Sequence, residues 1–93
     1  MNIYLIGMMG VGKSTIGNIL SKKLEMPFID LDHEIEKSAG SSIGKIFRSH
    51  GEEFFRNLES IALKNYFNSV IACGGGIILS KKNRSFIEEN GKS

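Results

Sequence analysis

The run Gly7-Met8-Met9-Gly10-Val11-Gly12-Lys13-Ser14-Thr15 stands directly behind the apolar stretch Ile3-Tyr4-Leu5-Ile6. Few short segments limit a fold so tightly. Gly7, Gly12, Lys13 and Ser14 satisfy the spacing G-x-x-x-x-G-K-[ST], which works only between a buried strand and the start of a helix. In that setting the backbone N–H groups of Gly10, Val11, Gly12, Lys13, Ser14 and Thr15 turn inward and cradle phosphate oxygens. The helix that follows adds its unpaired N–H groups and the positive end of its dipole. Lys13 supplies a mobile charge for the β and γ phosphates of a nucleotide, and the Ser14 hydroxyl is placed to ligate Mg²⁺. A glycine turn beside an exposed lysine is the plain alternative.

The rest of the chain continues the same alternation. Residues 2–6 read as a strand buried on both faces. From Lys13 to about Leu24, Ile16, Ile19, Leu20 and Leu24 recur at helical spacing as a core-facing stripe. Pro27 ends that segment, and Phe28-Ile29-Asp30-Leu31-Asp32 reads as a short second strand or a strand end. A short helix over 33–38 stops at Gly40. Ser41-Ser42 caps Ile43–Arg48, and Gly51 closes that turn. A longer helix over 52–67 carries Phe55, Leu58, Ile61, Ala62 and Phe67 as its stripe, with Glu52 and Glu53 at its positive end. A third strand, Ser69–Cys73, runs into Gly74-Gly75-Gly76, and a last helix over 81–89 ends at Asn90-Gly91. The order β-α-β-α-α-β-α implies an α/β domain with a parallel sheet and helices on both faces. Beyond Asn90-Gly91 the alternation has another strand due, so residues 1–93 read as one incomplete domain.

Composition narrows the function class. Hydrophobic residues are 41% and charged residues 24% of the chain, an ordinary globular balance without the signature of disorder. The net charge of +2 is spread over 12 basic and 10 acidic residues, which gives no basic block for nucleic acid. Ile3–Ile6 is too short to span a bilayer, and no charged region precedes an apolar signal core. Cys73 is the single cysteine, so no internal disulfide forms, and a cytoplasmic location is expected. It follows Val70-Ile71-Ala72 and reads as a buried thiol. His33 and His50 lack metal-ligand spacing and are assigned to solvent.

Chemistry beyond the loop must come from elsewhere, because the third strand ends in glycines rather than in a metal-binding carboxylate. Asp30 and Asp32, two apart in extended chain, point to the same side. At the carboxyl end of a strand beside the first they face the crevice where α/β sheets bind ligands. One can hold metal-bound water and the other accept a proton from a substrate hydroxyl. Equally, Asp32 can cap the next helix while Asp30 is solvated. Arg56 and Glu59, at i, i+3, have the spacing of a surface ion pair. The triple glycine is disfavoured by chain entropy, which points to close backbone approach to a partner, or else to a tight turn.

Together, "GMMGVGKSTIG", "FIDLDHEIE", "SIGKIFRSHGEEFFRNLE" and "CGGGII" resemble the shikimate kinase family, in the family's order and over essentially the whole chain. The loop is shared with many families; the Asp-x-Asp, Phe-Arg-x-x-Glu and Gly-Gly-Gly set is far more specific. The resemblance implies a three-layer P-loop kinase fold with sheet order 2-3-1-4-5, of which the first three strands are present. It implies ATP-dependent phosphorylation of the 3-hydroxyl of shikimate, with ATP and Mg²⁺ as cofactors and a monomeric enzyme when complete. Carried over by motif position, Gly10 to Thr15 bind the ATP phosphates, Ser14 ligates Mg²⁺ and Asp30 supports the metal through water. Asp32 is the base or orienting group for the substrate hydroxyls. Arg56 grips the shikimate carboxylate, Glu59 holds Arg56, the backbone at Gly74, Gly75 and Gly76 contacts substrate, and Phe47 and Phe55 wall the apolar side of the ring. Family members continue with two more strands, a mobile lid and a final helix. These bring the lid arginine, a further carboxylate-binding arginine and the adenine contacts, so the 93 residues alone are expected to be inactive. Two other readings share the loop: another small-molecule kinase, such as gluconate kinase, and a non-catalytic nucleotide- or metabolite-binding module derived from a kinase. The first is not expected to pair Phe-Arg-x-x-Glu with Gly-Gly-Gly.

Overall fold

Strand β1 (Asn2–Ile6) leads through the glycine run into helix α1 (Val11–Leu24) in the computed structural model of the chain. The structure describes the backbone of residues 1–7 and 11–92, and the side chains of that set apart from 11–14, 75 and 92. Strand β2 (Phe28–Asp30) passes directly into helix α2 (Leu31–Ala39), which is followed by helix α3 (Ile43–Leu63) and strand β3 (Val70–Cys73). A 3-10 turn over Gly75–Leu79, helix α4 (Lys81–Asn90) and a two-residue strand β4 (Gly91–Lys92) complete the order.

The strands lie parallel in the order β2-β3-β1-β4, so the expected α/β arrangement and its 2-3-1-4 sequence of strands are present. Where the sequence reading stops at a third strand, Gly91 and Lys92 already start the fourth, opposite Asn2 and Ile3. The edge of β1 away from β3 is therefore covered at its beginning and uncovered from Tyr4 onward among the described residues.

Register sorts the two faces. Tyr4 lies opposite Ile71 and Ile6 opposite Cys73. These residues face one core with Leu31, Ile35, Ile46, Phe55, Leu63, Ile77 and Ile87, drawn from α2, α3, the 3-10 turn and α4. Val70 and Ala72 alternate to the other face, where Phe28 sits opposite Val70 and rests against α1 at Gly17. Cys73 is buried, as expected of a strand-end thiol. His33 and His50 are exposed. No helix among the described residues is long and apolar enough to cross a membrane.

Three local expectations change. Asp30 and Asp32 do not share an extended segment, because β2 ends at Asp30 and Asp32 stands in the first turn of α2. The physical reason is the cap: Asp30 Oδ1 accepts the His33 N–H at 3.3 Å, and a side chain that caps a helix ends the strand before it. In α1, the stripe of Ile16, Ile19 and Leu24 is exposed rather than core-facing, since the helix meets the sheet through the neighbouring face at Gly17. In α3, helical geometry breaks at Gly51 (φ 86°, ψ 171°), as the sequence implies, but the helix stops at Leu63. Its buried side is Ile46, Phe55, Glu59 and Leu63, which leaves Ile61 and Phe67 in solvent.

A buried asparagine ties the start of the sheet to its far connection. The Asn2 side chain donates to the Tyr4 hydroxyl and to the Tyr66 carbonyl, each at 2.9 Å, and accepts the Ser69 N–H at 3.0 Å.

Candidate active site

The carboxyl ends of β1, β2 and β3 meet on one rim, where a parallel sheet with crossover helices leaves a crevice. Gly7 leaves β1 with φ 76°, in the left-handed region, and a side chain there would meet nothing within 4 Å. The first turn of α1 contains no acidic residue, and a helix start of that composition suits a polyanion. Val11, Gly12, Lys13 and Ser14 form that turn, and Thr15 follows on an exposed position. Gly10 lies outside the described residues.

Arg56 is surrounded by partners from its own helix and by the turn that follows β3. Its Nη1 donates to Glu59 Oε1 at 3.0 Å and its Nη2 to Glu52 Oε2 at 3.4 Å. The guanidinium lies 5.3 Å from the centre of the Phe55 ring, which in turn packs on Phe47 at 5.0 Å between centroids. Below it is Gly76, where a Cβ would overlap all three terminal guanidinium atoms. A side chain there would oblige the flexible end of Arg56 to shift from this position. Gly74 lies beside Asp32, whose Oδ2 would stand 3.8 Å from a Cβ at that position, an ordinary contact. Gly75 opens the 3-10 turn between them. Arg56, Glu59, Asp32, Gly74 and Gly76 thus form one cluster, and Asp30 stands apart from it at the α2 cap.

The electrostatics are uneven. Burial is the largest influence on Glu59 and raises its carboxyl; Arg56 pulls it down, the charge of Asp32 pushes it up, and the result lies above the usual carboxylate range. An ordinary ion pair would lower it, so desolvation outweighs the pair here. For Arg56 burial works against the charge, but the bonds and charges of Glu59 and Glu52 outweigh it and leave the guanidinium more firmly protonated than usual.

Sequence reading missed Glu52 as a partner of Arg56. The signal was available, since the two stand at i, i+4 immediately after the break at Gly51. Read only as a favourable charge at a helix start, Glu52 had no second role.

For Mg²⁺, the fit rests on donor chemistry. Ser14 and Asp30 offer only oxygen, the donor type that ion prefers. Among the described residues no three His, Cys, Asp or Glu side chains converge to cage a metal. Such a donor set suits an ion that keeps waters and phosphate oxygens rather than an all-protein cage.

A parallel sheet in the order β2-β3-β1-β4, whose first strand is followed by the Gly-rich segment of the sequence and then a helix, belongs to the α/β P-loop class. Comparison with known proteins narrows this class. The family model described as shikimate kinase matches residues 9–93, and the chain belongs to that family. It is 45% identical over 93 residues to the shikimate kinase of Persephonella marina, covering 97% of this chain and 57% of that protein. Among solved structures, the shikimate kinase of Aquifex aeolicus superposes with a TM-score of 0.88 at 45% identity, over 98% of this chain and 56% of the other. The shikimate kinase of Acinetobacter baumannii in complex with shikimate gives a TM-score of 0.89 at 43% identity, over 97% of this chain and 52% of the other. The chain thus spans about half the length of the relatives it matches.

Proposed function

We propose that the chain provides the phosphate loop and most of the substrate pocket of a kinase that transfers the γ-phosphoryl group of ATP to the 3-hydroxyl of shikimate. One observation carries this reading. Arg56 is held over a glycine backbone by two carboxylates, its guanidinium 5.3 Å from the centre of the Phe55 ring, an arrangement that suits a receptor for a carboxylate ligand.

In this reading Arg56 grips the shikimate carboxylate, and Glu59 sets its orientation from the buried side. Gly74, Gly75 and Gly76 let the ring approach the backbone, while Phe47 and Phe55 cover its apolar face. Asp32 orients the 3-hydroxyl and takes its proton as the oxygen bonds to phosphorus and the bond from phosphorus to ADP breaks. The N–H groups from Gly10 to Thr15 hold the phosphates, and Lys13 balances the charge that builds on the transferring group. Ser14 and Asp30 would hold Mg²⁺, which when bound neutralises phosphate charge. Taken alone, the 93 residues are expected to turn over no shikimate, since phosphoryl transfer needs water excluded from the site.

The test joins this chain to the carboxyl-terminal segment of the Aquifex aeolicus relative and follows ADP release with shikimate or gluconate. Turnover is expected with shikimate only. Arg56→Lys should raise KM for shikimate far more than KM for ATP, because lysine cannot make the two-pronged contact. Lys13→Met should lower kcat by about 10²–10³-fold, the usual loss for one such contact. Equal effects of Arg56→Lys on both substrates would make Arg56 structural and sink the reading.

A further inference from the structure

A pocket for an anion would be expected to carry net positive charge, yet Arg56 is surrounded by acids. Glu52 and Glu59 both bond it, and Asp32 is close enough to act on Glu59. With all four ionised, one positive and three negative charges leave a net of −2 among these residues. A ligand carboxylate that reaches the Arg56 fork must compete with the acids already bonded to it.

The geometry selects which acid can withdraw. The side chain of Glu59 is 1% exposed, and its withdrawal would strand a buried charge. Asp32 is half-buried on α2, facing Gly74. Glu52 is 64% exposed and sits at the outer end of the fork. The nitrogens of Arg56 tell the same story: Nη1 is taken by buried Glu59, and Nε is buried with no hydrogen-bond partner among the described residues. Nη2 is the nitrogen that meets an exposed partner, and that partner is Glu52. An incoming carboxylate meets Arg56 where Glu52 already stands.

We infer that Glu52 is a built-in stand-in for the substrate carboxylate: it occupies the outer face of the Arg56 fork in the empty site and is displaced into water when the ligand's carboxylate binds. The inference rests on the reading of Arg56 as the carboxylate grip. Glu52 keeps the guanidinium aimed while the site is empty, and its exposure keeps displacement easy. It also raises the threshold for weak anions, which must outcompete a carboxylate already in place. Glu52 acts through Arg56 and is a positioning and specificity residue.

Titration calorimetry on the 93-residue chain, with shikimate and its methyl ester as probes, separates the outcomes. Glu52→Gln should lower the Kd for shikimate about two- to fivefold, the range that exposed ion pairs of this kind span. The Kd for the ester, which carries no charge to compete, should not move. Glu52→Asp, one methylene too short to hold the contact, should fall between wild type and Gln, and it carries the test if the Gln variant is unstable. Unchanged or weaker shikimate binding in the variants overturns the inference, as does tightening that extends equally to the ester. Failure of the wild-type chain to bind shikimate at all would instead remove the reading of Arg56 on which the inference stands.

Discussion

At Glu59 a carboxylate that is 1% exposed lies between Arg56 and Asp32, and burial leaves its pKa raised above the ordinary 4.5. Because the folded value exceeds the unfolded one, the stability this group contributes is fully present below about pH 4.5 and is lost as pH rises through the folded value. The wild type should therefore be most favoured over Glu59→Gln in acid. The difference in unfolding free energy, from urea titrations between pH 4 and pH 7, should move against the wild type as pH rises. A difference that is flat with pH would mean that Glu59 is not desolvated as described. Arg56 and Glu59 were legible from i, i+3 spacing, because both belong to one helix and helix geometry is local. The partners they meet were not, since Gly76 and Asp32 reach them only through the sheet. Spacing alone left Arg56 an ordinary surface pair, and the close approach over Gly76 is a tertiary fact.

Helices and strands were read correctly wherever periodicity and caps agreed. β1, β3, the Gly40 stop and the Gly51 break follow directly from local chemistry. The boundary between β2 and α2 did not, because Asp30 serves both as the last strand residue and as the cap, and nothing in Phe28–Asp32 marks the change. The stripe on α1 misled for another reason: helical periodicity says which residues share a face, not whether a partner covers it. Among elements, the Asn2 network is the firmest test of the packing described. Asn2→Ala strands the Ser69 N–H and the Tyr66 carbonyl without their partner. Each buried group so exposed costs about 1–3 kcal/mol. Urea unfolding should show a lower midpoint with an unchanged slope and a loss of at least about 1 kcal/mol. A loss under half that figure would mean that water replaces the network readily.

For the molecule as a whole, two surfaces are left uncovered among the described residues. Ile16, Ile19 and Leu24 leave an apolar strip on α1, with Ile19 59% exposed. β4 pairs with only Asn2 and Ile3, so the edge of β1 from Tyr4 to Ile6 has no strand beside it among the described residues. Unpaired strand edges and exposed apolar strips each recruit other chains. The 93-residue chain should self-associate as concentration rises, by light scattering after size exclusion. Ile19→Lys should reduce that association without lowering Tm, since the side chain is largely in solvent. A wild-type chain that stays monomeric across a wide dilution series would refute this. The overlap at Gly76 also couples two positions over generations. A methyl group at position 76 would meet the guanidinium, the flexible end of the Arg56 side chain, so it is admitted only with the fork displaced from the place described. Its effect on ligand grip should therefore depend on whether position 56 still carries the arginine, and the two substitutions should be non-additive.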